Sequence, residues 1–425
     1  MQIKSVRAIE ILDSRGIPTI STKIILDDGS IGVSEVPSGA STGTSEVLEI
    51  RDGDKARHRG KGVIKAVDIV NNDISPKIIN KAFNTQEEFD NFLIELDGTE
   101  LKSNFGGNSI LSLSMAFCKA SAKSKGLELY EYIAHIYTKG NYTKEFFKMP
   151  KNMILIMEGG LHGNWATDFQ EFMVVPDMYR LPKIQDRIRA GAEIFHATHD
   201  ILEEKGYAST VGFEGAFAPK ELKSNTEAIE IILQGIERAG YHPYIDFTIA
   251  LDVAASEFFN SETNKYELKT EGLALNREEW LDKQIEWFSK YPMFSIEDTF
   301  DQEDWSGWQM LNSRVGDKYQ IVGDDLLTTN VKRINKGIEL KAMNAVLIKL
   351  NQIGSVTETL NAIRLTKEHG MQAVISHRGG ETNDSMIADL VIGTDADQSK
   401  FGGPDRGERL AKYNRLLEIA DQLGL

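Results

Sequence analysis

Phe247-Thr248-Ile249-Ala250-Leu251 runs into Asp252, Met293-Phe294-Ser295-Ile296 into Glu297, Gln320-Ile321-Val322-Gly323 into Asp324, Ala345-Val346-Leu347-Ile348 into Lys349, and Ala373-Val374-Ile375 into Ser376-His377-Arg378. Each is a short apolar run, rich in β-branched residues, that stops at a group able to bind metal or carry a proton. Continuous apolar runs of this length suit strands buried on both faces, as in a parallel sheet. Glu297 to Asp324 is 27 residues, Asp324 to Lys349 is 25 and Lys349 to His377 is 28, the room that one strand and a returning helix require. Strands joined in this way are parallel. Closed into a barrel, their carboxyl ends meet at one rim, where barrel enzymes carry their chemistry. Three carboxylates, a lysine and a His-Arg pair then share one pocket.

At 425 residues the chain is longer than one hydrophobic core usually serves, which predicts two domains. A composition 41% hydrophobic and 26% charged leaves no case for extensive disorder. The formal net charge of -16 argues against a nucleic-acid partner, whose affinity would come from clustered Lys and Arg. An anionic small substrate stays open, because bound cations override net charge locally. Cys118 is the only cysteine, so no internal disulfide forms and a reducing compartment is expected. No run approaches the roughly 18 apolar residues of a membrane span, and Met1 to Arg7 has no apolar signal core. The expectation is a cytoplasmic protein without a membrane partner.

Before the barrel pattern begins, residues 1 to about 36 alternate apolar and polar positions, with Asp27-Asp28-Gly29 as a hairpin turn. Pro37-Ser38-Gly39-Ala40-Ser41-Thr42-Gly43 is a small-residue loop that reads either as a surface turn or as a movable ion-binding loop. It is not a Walker loop, since no lysine follows its glycines. From about 60 to 135 the periodicity is helical, and a helical cap on the meander completes a first domain over residues 1 to 137. A polar, interrupted segment leads into a second domain over residues 138 to 425. There Met153 to Met157 and Phe172 to Val175 read as strands, and Pro182 to Gly206 as an amphipathic helix carrying His196 and His199. Lacking a third ligand or an HExxH context, these two fit solvated or packed histidines better than a metal pair. Glu214, between Phe213 and small residues, is expected to be desolvated and raised in pKa, as suits a general acid; the alternative is a solvated loop glutamate. Ser224 with Glu227 and Gly240, then Ser355 with Glu358 and Gly370, each predict a capping box closed by a C-terminal glycine.

Asp252, Glu297 and Asp324, oxygen donors without thiolates, suit a hard cation such as magnesium better than zinc. A lysine opposite such an ion serves as a base if neighbouring positive charge and burial lower its pKa. Spacing alone identifies no substrate.

The chain resembles the enolase family over almost its whole length. The resemblance is carried by Leu12-Asp13-Ser14-Arg15-Gly16, Pro37 to Gly43, Gln170-Glu171-Phe172-Met173, Glu214-Gly215, Leu251-Asp252, Ser295-Ile296-Glu297-Asp298, Gly323-Asp324-Asp325-Leu326, Lys349 with Asn351-Gln352-Ile353-Gly354, Ser376-His377-Arg378 and Glu408-Arg409. It implies an N-terminal α+β domain followed by an eight-stranded α/β (TIM-like) barrel with one antiparallel strand near its start. It also implies a homodimer or higher homo-oligomer and the glycolytic elimination of water from 2-phosphoglycerate to give phosphoenolpyruvate, with two magnesium ions per site. By that resemblance Asp252, Glu297 and Asp324 hold the first ion and Ser41 helps hold the second. Lys349 is the base, an arrangement the superfamily is known for. Glu214 is the acid supported by Glu171, and His162, Ser41, His377, Arg378, Gly379 and Lys400 contact the substrate, with Arg378 facing its phosphate.

Several departures fall inside these motifs. Where the family carries Gly-Asp-Glu-Gly-Gly this chain has Gly212-Phe213-Glu214-Gly215-Ala216, for Asn-Gly-Gly it has Glu158-Gly159-Gly160, for Ser-His-Ala it has Leu161-His162-Gly163, and for His-Arg-Ser it has His377-Arg378-Gly379. The hydroxyl lost at Gly379 removes a charge-assisted hydrogen bond of roughly 1.5–3 kcal/mol. Three functions follow: the family reaction itself, the same elimination on a related phospho or phosphono hydroxy acid in secondary metabolism, or a non-catalytic binding protein on this fold.

Overall fold

The computed structural model describes residues 1–39, 43 and 45–425. Three antiparallel strands, β1 (Ile3–Leu12), β2 (Pro18–Leu26) and β3 (Ile31–Glu35), open the chain, with Asp27 and Asp28 in the turn between β2 and β3. The helix Gly107–Ser124 lies across this meander. Gly32 on β3 is where they touch: a Cβ there would sit 1.9 Å from the Ala116 carbonyl oxygen, so only glycine permits this approach.

The second part is a closed barrel of eight strands: β4 (Lys151–Glu158), β5 (Glu171–Pro176), β6 (Phe247–Asp252), β7 (Met293–Glu297), β8 (Gln320–Gly323), β9 (Ala345–Ile348), β10 (Gln372–Ser376) and β11 (Gln398–Lys400). They follow one another around the barrel in chain order, and β11 closes against β4. Only β5 runs antiparallel to its neighbours, as the resemblance implies. The strands are buried on both faces, which is why their sequences read as unbroken apolar runs. Met153, Leu155, Met173, Val175, Ala250, Val322, Leu347 and Val374 fill the interior, while alternate residues such as Ile154, Ile249, Ile321 and Val346 join the layer beneath the helices.

Between Asp252 and Glu297 the polar excursion forms a small antiparallel sheet, Phe259–Asn260, Lys265–Leu268 and Leu273–Leu275, followed by the helix Arg277–Lys290. The predicted helices Asn225–Arg238 and Val356–Glu368 are present, and Gly240 and Gly370 end them at φ +87° and +70°. Their capping differs from expectation. Ser224 and Ser355 accept the amides of Glu227 and Glu358, but the reciprocal bonds do not form. Glu227 instead accepts from the amide of Lys223, and Glu358 pairs with Lys102. Reciprocal boxes occur at Glu128 with Glu131 and at Asn276 with Glu279. Among the described residues no helix is long and apolar enough to cross a membrane.

The two parts meet at the N-terminus of the helix Val356–Glu368. Ser114 accepts from the Val356 amide and Asp90 Oδ2 from the Thr357 amide, each at 2.9 Å, so first-domain side chains satisfy amides of a barrel helix. Asp90 is wholly buried, which pushes its carboxyl up to about 6 against the bonds from Thr357, Ser114 and Gln86. Asp90→Ala leaves the Thr357 amide buried without a partner, a loss of about 1–3 kcal/mol; thermal unfolding should show a melting point lower by a few degrees, and an unchanged one would show that this bond contributes nothing to docking.

Candidate active site

Strand register builds the rim. Glu158 ends β4 opposite Glu171 at the start of β5, Glu171 lies opposite Asp252 at the end of β6, and Asp252 opposite Glu297 at the end of β7. Glu171 reaches this rim with its amino-terminal end because β5 alone runs backwards. Four buried carboxylates therefore stand in one row, an arrangement of like charges that destabilises a sheet unless countered. The counter-charge is Lys400, at the end of β11. Its Nζ lies 3.0 Å from Asp252 Oδ2, 2.9 Å from both oxygens of Glu297 and 3.1 Å from Glu171 Oε1. Burial would deprotonate this lysine, but Asp252, Glu171 and Glu297 hold its pKa well above the usual value. Burial raises Glu297 well above the ordinary carboxylate range, Asp252 adding to the effect and Lys400 opposing it.

Asp324 and Lys349 directly follow β8 and β9, and Lys349 Nζ donates to Asp324 Oδ2 while Gln352 Nε2 donates to Oδ1 at 2.8 Å. Burial lowers the pKa of Lys349, but Asp324 more than reverses this and leaves it raised. Asp298, at φ +44°, turns away from the pocket and accepts the amides of Asp324 and Asp325 at 2.9 Å each, fixing the Asp324 backbone. Burial and the charge of Asp324 push its carboxyl up to about 8.

A small cavity is lined by His162, Gln170, Glu171, Glu214, Lys349, Ser376, His377, Arg378 and Gly379. Glu214 is buried, with Oε1 3.1 Å from His162 Nδ1 and 3.9 Å from His377 Nε2. The desolvation expected for it is present, but the net direction is the opposite: burial raises its pKa, and His162 and Arg409 hold it well below the usual range. Arg409 NH1 donates to His377 Nδ1 at 2.6 Å. Since a guanidinium has no acceptor, His377 Nδ1 must be unprotonated and its proton sits on Nε2, toward Glu214. Burial also lowers the His377 pKa strongly, so the ring is neutral. Arg409 further binds the carbonyls of Phe213, Arg378 and Gly379, joining both sides of the pocket. Arg378 NH1 and NH2 donate to the carboxylate of Glu46 at 3.1 and 3.2 Å, and NH1 also donates to Asn351.

The structure thus gathers Glu214, Lys349, Glu171, His162, His377, Arg378 and Gly379 on one cavity and places Asp252, Glu297, Asp324 and Lys400 in the carboxylate–ammonium cluster beside it. Ser41 lies outside the described residues. His196 and His199 share the helix Ile184–Glu204, and among the described residues neither joins a cluster of ligating groups. Sequence reasoning gives no role to Glu46, Asp298 or Arg409. The last two sit inside recognisable motifs, but their work is done on backbone groups that no pattern of residue types reveals. Asp252 and Glu297 meet at Lys400, Asp324 lies close to Asp298 and Asp325, and buried carboxylate oxygens of this kind suit a hard divalent cation.

A family model described as "Enolase, N-terminal domain" matches residues 3–133, and one described as "Enolase, C-terminal TIM barrel domain" matches residues 146–425. Removing the ammonium from the acidic row tests its role. Lys400→Met should lower the melting temperature of metal-free protein sharply, since breaking a buried pair costs about 3–5 kcal/mol. Added divalent cation should raise the variant's melting temperature more than the wild type's; equal shifts would mean that the row does not depend on positive charge.

Proposed function

Because the chain belongs to the enolase family, we propose that it eliminates water from 2-phosphoglycerate to give phosphoenolpyruvate. The observation that carries this reading is the placing of Lys349 and Glu214, a base and an acid, on one small cavity that Arg378 and two histidines also line. Asp252, Glu297 and Asp324 would hold one magnesium ion and Ser41 would help hold a second. Bound there, the ions supply the positive charge that offsets charge developing on the substrate carboxylate.

Lys349 takes the proton from the carbon beside that carboxylate. In the structure Asp324 keeps this lysine protonated; with Asp324 turned to a cation, burial governs Lys349 and lowers its pKa, as a base requires. The carbon–oxygen bond then breaks, and Glu214 delivers a proton to the departing hydroxyl so that water leaves. Glu171, raised by burial against Lys400 and further by Glu214, stands beside that acid and supports it. His377 presents an Nε2 proton to the pocket, and Arg378 binds the phosphate in the place where it now holds Glu46.

A second reading keeps the elimination but changes the acid. It is favoured by Glu158 beside Glu214, by Phe213, 40% exposed on the same loop, and by the bare backbone of Gly379 on the cavity wall. The discriminating measurement is steady-state turnover with magnesium and 2-phosphoglycerate, followed by phosphoenolpyruvate absorbance. Ordinary turnover removes the second reading; turnover only of a related phospho or phosphono hydroxy acid removes the first; none with any such acid favours a binding protein. In whichever assay succeeds, Lys349→Ala should abolish turnover while magnesium still binds by calorimetry, and an active variant would place the base elsewhere.

A further inference from the structure

We propose that Glu158 is a positioning residue for Glu214: from behind the Glu214 loop it holds that loop by its backbone amides, and its charge bears on the Glu214 carboxyl. Glu158 does not line the cavity, and at 1% exposure its carboxylate is spent on the loop. Oε1 accepts from the amides of Glu214 and Ala216 and Oε2 from that of Glu214, all at 3.2 Å. Gly212 makes the room, since a Cβ there would lie 2.5 Å from Glu158 Oε1. The turn behind is equally close, a Cβ on Gly163 lying 2.4 Å from the Glu158 carbonyl oxygen. The asparagine expected at 158 from the family resemblance is one methylene shorter and would not reach both amides.

The second half of the inference is electrostatic. Oxygens of Glu158 and Glu214 and a nitrogen of His162 lie within 4.8 Å of one another in a buried setting. Two carboxylates so placed do not both ionise readily, and their titration belongs to the pair. His162, His377, Arg409 and Glu171 face Glu214; Arg409 and Glu214 act on Glu158, and Glu171 stands across the strand from it. Burial and the Glu214 charge raise Glu158, while His162 and Arg409 hold Glu214 down against burial. Of the two, Glu158 is the one whose negative charge is opposed by both burial and its neighbour, so removing it should be felt at Glu214.

This rests on Glu214 being the proton donor of the reading above, so the test has one arm that needs no substrate. In magnesium-loaded protein near neutral pH, the infrared carbonyl band of protonated carboxyls should lose intensity in Glu158→Gln relative to wild type, and an unchanged band overturns the proposal. In the second arm, with whichever hydroxy acid is turned over, Glu158→Gln keeps an acceptor for the amides but carries no charge. The basic limb of its kcat/KM profile should move to lower pH with KM little changed, whereas a profile superimposable on wild type overturns the effect of the Glu158 charge on Glu214. Glu158→Ala should lose kcat about tenfold beyond Glu158→Gln, from two unpaired amides; equal kcat in the two variants overturns the positioning role. Should Glu158→Ala not fold, the glutamine variant decides, and should no acid be turned over, the infrared arm decides alone.

Discussion

Lys400 sits inside a row of like charges that the barrel cannot avoid. Register puts Glu158, Glu171, Asp252 and Glu297 side by side at one rim, and the ammonium within about 3 Å of three of them is what allows the row to be buried. Its neighbour Asp324 solves the same problem with Lys349. A chain carrying a formal charge of -16 thus concentrates negative potential where a doubly charged cation would be welcome. An anionic substrate could approach such a site only in company with positive charge.

The single reversed strand is what completes the row. Were β5 parallel like the others, its first residue would lie at the opposite end of the barrel, and Glu171 could not share Lys400 with Asp252 and Glu297. Topology therefore supplies one of the groups that meet the lysine, and a short strand with a tight return before it is enough to do so.

The barrel was legible because parallel strands covered on both faces must be written as apolar runs, and because each run ends at its functional group. The same strand-end logic located Asp252, Glu297, Asp324 and Lys349. What sequence did not disclose is what those groups do to one another. Lys349 is raised by Asp324, and Glu214 was expected to be raised and is lowered, because the deciding neighbours, Asp324 for one and His162 with Arg409 for the other, come from distant segments. Glu46 meets Arg378 across 332 positions of chain, a contact no local pattern encodes. Arg409 and Asp298 act on carbonyls and amides, so their identity is visible while their purpose is not. The helix caps failed in a smaller way: the serines were right, and each glutamate found a stronger partner elsewhere.

The fit between Glu158 and Gly212 has an evolutionary side. The glycine leaves the space that a side chain as long as glutamate occupies at 158, a Cβ there lying 2.5 Å from Glu158 Oε1. The genetic code does not join asparagine to glutamate by one base change, and aspartate is a natural stepping stone. That intermediate would bring the charge without the reach, burying a carboxylate near Glu214 with the loop amides out of range. Such an aspartate would be costly in this loop, so the length of the acid at 158 is constrained by the geometry of a single turn.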